Sequence, residues 1–512
     1  MTAAEAARCS PPARAVGWLP GVPATDTGDW RTLAFSGGRS AEDATLLDGG
    51  SVLLRVPQLS PEGLTAVLQR VARARDQYLA ELPVYRIVEL LDRVASRWLD
   101  PASPYRREAE HLLPVITGYS EPAVRKSLIG MLASWRAENL RRLLEEELSD
   151  PEMLDGFRPR ITGGAGHSRA FGPRTSVHVW SGNVPGLPAQ SLAATLLVKS
   201  AALGKVSSAE PLFATLLAES IAEVDPRLAE CLAVTWWPGG DEDRERAVLR
   251  HADAVIAYGG NDAISAIREH VPAASRFLAY GHKISFGAVA REALDAGQLS
   301  GSADAAAYDV AKYDQQGCLS PHVVYVERGG GATPRQFAAA LGDALSRYAE
   351  LVPRGALSLD ERAAAAAVRS TAELRAMSGE AVQVIADPAG GWTVLYDEDP
   401  AFSPSCLNRV VFVKPVDDLL PDVPAAVAPL RAHLQTCGMA GPQHRRLELA
   451  DRLGPYGVDR VCPLGRMGDV APTWHHDGRP VLLDLLRWTD VEPDGSAGHW
   501  EFAHPGEGLY GR

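Results

Sequence analysis

Ser176-Val-His-Val-Trp-Ser-Gly-Asn-Val-Pro-Gly-Leu-Pro188 decides the fold class. A short apolar run that reads as a strand meets a turn rich in glycine and proline, and an apolar stretch from Leu187 to Leu197 then reads as a helix. The theme repeats downstream. Ala202-Leu-Gly-Lys-Val206, Cys231-Leu-Ala-Val-Thr235 and Ala254-Val-Ile-Ala-Tyr258 are short apolar runs separated by helical stretches such as Pro211 to Val224. Strands buried on both faces and alternating with helices predict a parallel sheet of α/β class, an architecture that binds nucleotides.

Upstream of this region the period is helical. Residues 1 to about 30, with Ser10-Pro-Pro12 and Gly17-Trp-Leu-Pro-Gly-Val-Pro23, are too densely punctuated for regular structure and are expected to be irregular. Ser51-Val-Leu-Leu-Arg-Val56 alternates like a strand. Ser60 then suits an N-cap, Pro61 suits a first helical position, and Leu64, Val67, Leu68 and Val71 recur at helical spacing. Further helical segments are expected from Tyr85 to Leu99 and from Ser120 to Leu148.

Downstream, His322-Val-Val-Tyr-Val-Glu327 reads as a strand and opens a second α/β lobe. Thr333-Pro-Arg-Gln336 and Ser358-Leu-Asp-Glu361 are capping boxes, and the alanine run 363–367 is a good helix former. Leu407-Asn-Arg-Val-Val-Phe-Val-Lys414 reads as another strand.

Composition narrows the function classes. The 512 residues exceed what one core usually supports, at roughly 100–200 residues per domain, so two or more lobes are expected. The 51 basic and 64 acidic side chains give a formal charge of −13, and no basic block is long enough to track a phosphate backbone, which argues against nucleic acid. Six cysteines without a CxxC pair suggest neither a disulfide framework nor a zinc ribbon, hence a reducing compartment. The N-terminus lacks a basic region followed by an apolar run, and no window reaches the ~20 apolar residues of a membrane span. A cytoplasmic protein is expected.

Four places carry chemistry. Cys318 follows Asp314-Gln-Gln-Gly317 at the mouth of the 322–327 strand, where a ligand can reach it; a buried structural thiol is the alternative. Asn183 lies between strand and helix, where an open α/β sheet presents groups to a ligand, and it either closes a turn or donates to an oxyanion. Lys205-Val-Ser-Ser208 ends the next strand, and its cation and hydroxyls either face solvent or hold a ribose and phosphate. Gly259-Gly260 could place a helix N-terminus against a pyrophosphate. Trp474-His-His-Asp-Gly478 invites a metal reading, but adjacent strand side chains point to opposite faces and Asp-Gly favours a hairpin turn, so no metal is assigned.

Gly182-Asn-Val-Pro185, Lys205-Val-Ser-Ser208, Tyr258-Gly-Gly260, Gly281-His-Lys283 and Gln316-Gly-Cys318, in that order, resemble the aldehyde dehydrogenase superfamily. Within it, Asn183-Val-Pro-Gly-Leu-Pro188, the run Val198 to Lys205 and Asp314-Gln-Gln-Gly-Cys-Leu-Ser-Pro321 resemble the LuxC-type acyl-CoA reductases, the fatty-acyl reductase component of bacterial bioluminescence, over residues 50 to 490.

The resemblance implies an aldehyde dehydrogenase-like α/β fold: a Rossmann-type cofactor-binding domain, an α/β catalytic domain and a helix-rich N-terminal region. The expected divisions are 1–30, an irregular segment; 31–285, the helix-rich part with the NADP-binding domain; 286–440, the catalytic domain with the cysteine; and 441–512, a C-terminal return and oligomerisation segment. It implies Cys318 as nucleophile, and Asn183 with the Cys318 N–H as oxyanion hole. Lys205 and Ser207 would hold the adenosine ribose, with Gly259 and Gly260 at the phosphates. Ser208 falls where many NAD-using relatives carry a glutamate, which favours NADPH because no carboxylate repels a 2′-phosphate.

Ala279 stands where hydrolytic members carry the glutamate that activates water, so an acyl-enzyme should survive until a thiol removes it or a hydride reduces it. His282, three residues on, is an acid–base candidate or a structural histidine. The expected reaction is reduction of acyl-CoA or a carrier-protein acyl thioester to an aldehyde through an acyl-cysteine. The rivals are an NAD(P)-dependent aldehyde dehydrogenase that makes acid and a catalytically silent acyl-binding scaffold. An acyl-activating synthetase partner and a homo-oligomer are further implications.

Overall fold

The computed structural model describes residues 13–21, 29–37, 39–41, 51–160 and 166–492. Among the described residues, the chain forms four sheets with their helices. The first sheet joins Arg14–Ala15, Val52–Pro57, Trp30–Ser36 and Arg39–Ala41 in that order. Arg14–Ala15 corrects the expectation of an irregular start. Dense prolines and glycines prevent local pairing, but the edge of the 52–57 strand supplies partners from a distance, and Trp18 exchanges two 2.8 Å backbone hydrogen bonds with Val234. Ser10–Pro12 and Pro23 lie outside the described residues.

Helices Pro61–Ala74, Val84–Leu99, Pro104–Thr117, Glu121–Ala133 and Ala137–Leu148 follow. Ser60 caps the first through its side chain. The stretch from Ser120 to Leu148 is two helices. The break falls at Ser134–Arg136, where the buried Trp135 indole donates 3.0 Å to the Ala189 carbonyl and Arg136 turns extended.

The quoted strand, Thr175–Val179, is the centre of a five-stranded parallel sheet. On one side lie Ala201–Lys205 and then Leu232–Thr235; on the other lie Ala254–Tyr258 and then Arg276–Tyr280. The chain runs outward on one side and returns to the other, so a switch point opens between the 175–179 and 254–258 strands. Ligands of open α/β sheets bind at such a crevice, beyond the carboxyl ends of the strands. Asn183 and Gly259 follow these two strands.

The second lobe is a seven-stranded sheet in the order Val382–Ala386, Thr393–Asp397, Val410–Val416, Pro321–Glu327, Ile284–Val289, Leu434–Ala440, Arg460–Pro463. Only the first is antiparallel to its neighbour. The sheet takes its last strand from beyond residue 440, where the C-terminal return was expected to begin. It also starts at Ile284, two residues before the expected 286. The strand expected from Leu407 begins at Val410, because Leu407, Asn408 and Arg409 adopt φ of 64°, 58° and 64°. Both capping boxes form.

A three-stranded antiparallel sheet pairs Arg487–Val491 and Arg158–Pro159 with His167–Phe171. Among the described residues no helix is long and apolar enough to cross a membrane.

Candidate active site

Cys318 is exposed, whereas Cys231, Cys437 and Cys462 are buried and Cys406 is half-buried. Its loop is fixed by unusual backbone. After the Leu299–Ala311 helix, Tyr313, Asp314 and Gln315 take φ of 53°, 47° and 62°, a left-handed conformation that costs about 1–2 kcal/mol for each such residue. The second left-handed run, 407–409, faces the first. The Asn408 N–H donates to the Asp314 carbonyl at 2.9 Å, Gln316 Nε2 to Asn408 Oδ1 at 3.0 Å, and Arg409 Nε to Asp314 Oδ1 at 2.7 Å. Gln315 Nε2 donates to the Pro321 carbonyl at 2.8 Å. Strain held in place by many bonds is a mark of pre-organised sites. The Cys318 carbonyl accepts from Ser285 Oγ at 2.7 Å, and that oxygen accepts from the Thr436 N–H at 3.2 Å.

Asn183 meets this loop. Its Nδ2 donates to the Gln316 carbonyl at 2.8 Å, and its Oδ1 accepts from Ser181 Oγ at 2.7 Å. The Tyr119 hydroxyl lies between the carbonyls of Asn183, at 2.7 Å, and Tyr313, at 3.1 Å, so one side chain pins both loops. The 181–186 turn also touches the 205–210 turn closely. A Cβ on Gly182 would sit 3.0 Å from Ser207 Oγ and from the Glu210 nitrogen. Glycine suits that close approach, since a Cβ would crowd both neighbours.

The surroundings of the sulfur are mixed in charge. Although Cys318 is open to solvent, protein crowds its recess, and this desolvation together with the Asp477 carboxylate pushes the thiol up to about 11. Gln435, the Cys318 N–H and Lys283 favour the thiolate more weakly. Sheet topology gathers these groups: Lys283, Cys318, Gln435 and Asp459 lie at the amino ends of four adjacent parallel strands. Gln435 is fully buried, its Nε2 donates to Asp477 Oδ1 at 2.6 Å, and its Oε1 has no protein partner. Lys283 Nζ lies 3.9 Å from Asp459 Oδ2.

Asp477 arrives on a hairpin turn, in which His476 bridges Arg479 and Asp477 and Gly478 take φ of 52° and 73°. The sequence pointed to the turn and missed its role. Arg479 Nη2 donates to the Ala279 carbonyl at 3.1 Å, and His476 stacks on Tyr280 with centroids 4.1 Å apart. The hairpin is therefore fastened to the strand that carries Ala279 and Tyr280. His282 is exposed; its N–H donates to Asn261 Oδ1 at 3.1 Å, its ring lies 6.3 Å from that of His433, and no hydrogen bond links it to Cys318.

At the carboxyl edge of the five-stranded sheet, Lys205 lies over the Trp237 ring at 5.7 Å, and burial pushes its pKa down against the pull of Glu245. Ser207 Oγ accepts from the Ala209 N–H at 3.1 Å, and Ser208 Oγ accepts from Trp236 Nε1 at 3.0 Å. Gly259 donates to the Tyr280 carbonyl at 3.2 Å, and Gly260 opens the Asn261–His270 helix with no side-chain cap. Buried Thr235 Oγ1 and Trp237 Nε1 have no partner among the described residues. A cation, an uncapped helix N-terminus and orphaned donors along one edge fit a dinucleotide, whose phosphates and hydroxyls satisfy such groups.

Comparison with known proteins gives the family and the fold. The sequence model of the family described as "Acyl-CoA reductase (LuxC)" matches residues 79–488. A long-chain acyl-protein thioester reductase of Photorhabdus laumondii is 28% identical over 417 residues, covering 80% of this chain and 83% of the relative. Its counterpart in Vibrio harveyi is 26% identical over 426 residues, covering 81% and 84%. Among solved structures, aldehyde dehydrogenase 21 of Physcomitrella patens superposes with a TM-score of 0.69 at 13% identity, covering 94% of this chain and 98% of that one. The aldehyde dehydrogenase KauB of Pseudomonas aeruginosa gives 0.65 at 15% identity, covering 92% and 99%.

Proposed function

Because this chain belongs to the LuxC acyl-CoA reductase family and has the aldehyde dehydrogenase fold, we propose that it reduces an acyl thioester to an aldehyde with NADPH, through an acyl group carried on Cys318. The observation that carries the site assignment is the exposed thiol of Cys318 on the loop whose Gln316 carbonyl accepts from the Asn183 amide, with alanine at 279. The relatives are named for long-chain acyl groups on proteins. The proposed substrates are thus long-chain acyl thioesters of CoA or of a carrier protein. An acyl-activating synthetase partner, a homo-oligomer and work in the cytoplasm complete the reading.

Bound nicotinamide supplies the hydride; the rest is the work of the chain. Cys318 Sγ attacks the thioester carbon, and the Asn183 amide with the Cys318 N–H receives the oxygen charge, a contribution of about 10²–10³ in rate from one donor. The carrier thiol leaves and the acyl group stays on sulfur. With no carboxylate at 279, water is not activated on that side and the thioester persists until reduced. Collapse of the reduced adduct then releases aldehyde. Lys205 and Ser207 would hold the adenosine ribose, and the Gly259–Gly260 turn the phosphates, with Ser208 leaving room for a 2′-phosphate.

The test is a panel of acyl-CoAs scored by NADPH consumption and aldehyde formed, alongside intact mass after acyl-CoA without cofactor. Acyl mass on Cys318 that vanishes in Cys318→Ala, together with aldehyde release, is expected. Sustained acid production from aldehyde and oxidised cofactor, without a thiol acceptor, would instead establish the acid-forming reading.

A further inference from the structure

We propose that Asp477 is the proton-transfer partner of Cys318 and that Gln435 is the positioning residue that aims it. The proposal rests on Cys318 being the acyl carrier. Thioester exchange at a thiol needs a group that takes the Sγ proton and returns it to the departing sulfur. The strand position at which a glutamate would project holds Ala279, and the 476–479 hairpin is bonded to that residue's carbonyl. The carboxylate it delivers is only 6% exposed and takes a 2.6 Å hydrogen bond from a fully buried amide. The oxygen of that amide, Gln435 Oε1, has no partner among the described residues, and Gln435 itself lies close enough to Cys318 to favour its thiolate.

The groups around Asp477 leave it as the proton acceptor. His476 Nε2 is 3.9 Å from Asp477 Oδ1, but burial holds that ring near 4, neutral at pH 7, and it stacks on Tyr280. Lys283 and Arg479 are cations and can only steady the carboxylate. Asp459 packs against the same turn: a Cβ on Gly478 would meet its Oδ1 at 2.7 Å. Burial and the Asp477 charge raise Asp459 above the ordinary carboxylate range.

The step balances. As the bond from Sγ to the acyl carbon forms, the thiol proton moves to an Asp477 oxygen. As the bond from that carbon to the carrier sulfur breaks, the proton moves to the carrier sulfur, which leaves as a thiol, and Asp477 is again a carboxylate. No further reactant is consumed. A carboxylate shut from solvent can do this without ordering a hydrolytic water, which keeps the acyl-enzyme intact.

Asp477→Asn is the informative variant, because asparagine tolerates the left-handed φ and keeps the shape. Single-turnover acylation of Cys318 by an acyl-CoA, without NADPH, would be followed by intact mass from pH 5.5 to 9, with iodoacetamide alkylation of Cys318 in parallel. The expected result is acylation slower by about 10²-fold or more at pH 7, with alkylation as fast as in the wild type or faster because a repelling charge is gone. Gln435→Met should slow acylation less, and its pH profile should shift. Acylation of Asp477→Asn at or above the wild-type rate overturns the proposal, as does equal loss of both reactions, which would mark a displaced cysteine. Absence of acyl mass on wild-type Cys318 would instead overturn the acyl-carrier reading.

Discussion

Arg409 and Asp314, both sealed from solvent, form a 2.7 Å ion pair that locks two left-handed backbone runs together beneath Cys318. Asp314 also accepts from the Gly355 N–H at 2.9 Å, and Arg409 Nη2 donates to the Val352 carbonyl at 2.9 Å. Removing one member leaves the other charge buried and unpaired, so Arg409→Leu should lose about 3–5 kcal/mol of stability. Urea unfolding measures this. A loss under 1 kcal/mol would show that the loop stands without the pair.

Asn183 tests the oxyanion assignment separately from folding. Its side chain is exposed and, among the described residues, bonds to Ser181 and the Gln316 carbonyl, so Asn183→Ala should change stability by no more than about 0.5 kcal/mol. The kcat for reduction should fall about 10²–10³-fold if the amide receives the developing charge. A rise in KM with kcat unchanged would mean that it only positions the substrate.

What could be read from the sequence was local. The strand–turn–helix units name their own loops, so Asn183, Lys205 and Gly259 were placed by chain order alone, and Cys318 by its position at a strand mouth. Gln435 and Lys283 come near Cys318, and Asp459 near Lys283, only because their strands are neighbours in the sheet, an order that no local pattern specifies. Asp477 was visible as Asp-Gly in a turn, yet the partner the turn faces is set by packing on Tyr280 and Ala279. Leu407–Arg409 read as strand because apolar β-branched residues follow; their left-handed backbone is imposed by the bonds to Asp314.

Cofactor choice is testable at Ser208. Its hydroxyl accepts from the Trp236 indole at 3.0 Å, a bond that a glutamate can replace, so Ser208→Glu should fold and bring a carboxylate to the cofactor edge. Repulsion of a 2′-phosphate should lower the preference for NADPH over NADH by roughly tenfold or more. Paired kcat/KM values for the two cofactors decide it. An unchanged ratio would place the 2′ position elsewhere.

Glu327, at the far end of the cysteine's strand, sets an acid limit on the catalytic sheet. Its side chain is closed to solvent; burial opposes its charge, but side-chain hydrogen bonds from Arg291 and Arg445, each 2.9 Å, and one from the Arg291 N–H hold it down at about 2. The folded value lies below the ordinary 4.5, so the folded state binds this proton less readily than the unfolded chain does. The stabilisation is therefore complete above about pH 4.5 and is lost as pH falls towards 2. Glu327→Gln should be the less stable protein at pH 7, with a urea midpoint gap that narrows between pH 4.5 and pH 2. Other carboxylates titrate in both proteins, so the difference isolates this one. A gap that stays constant with pH would mean that the glutamate contributes through shape and hydrogen bonding rather than through charge.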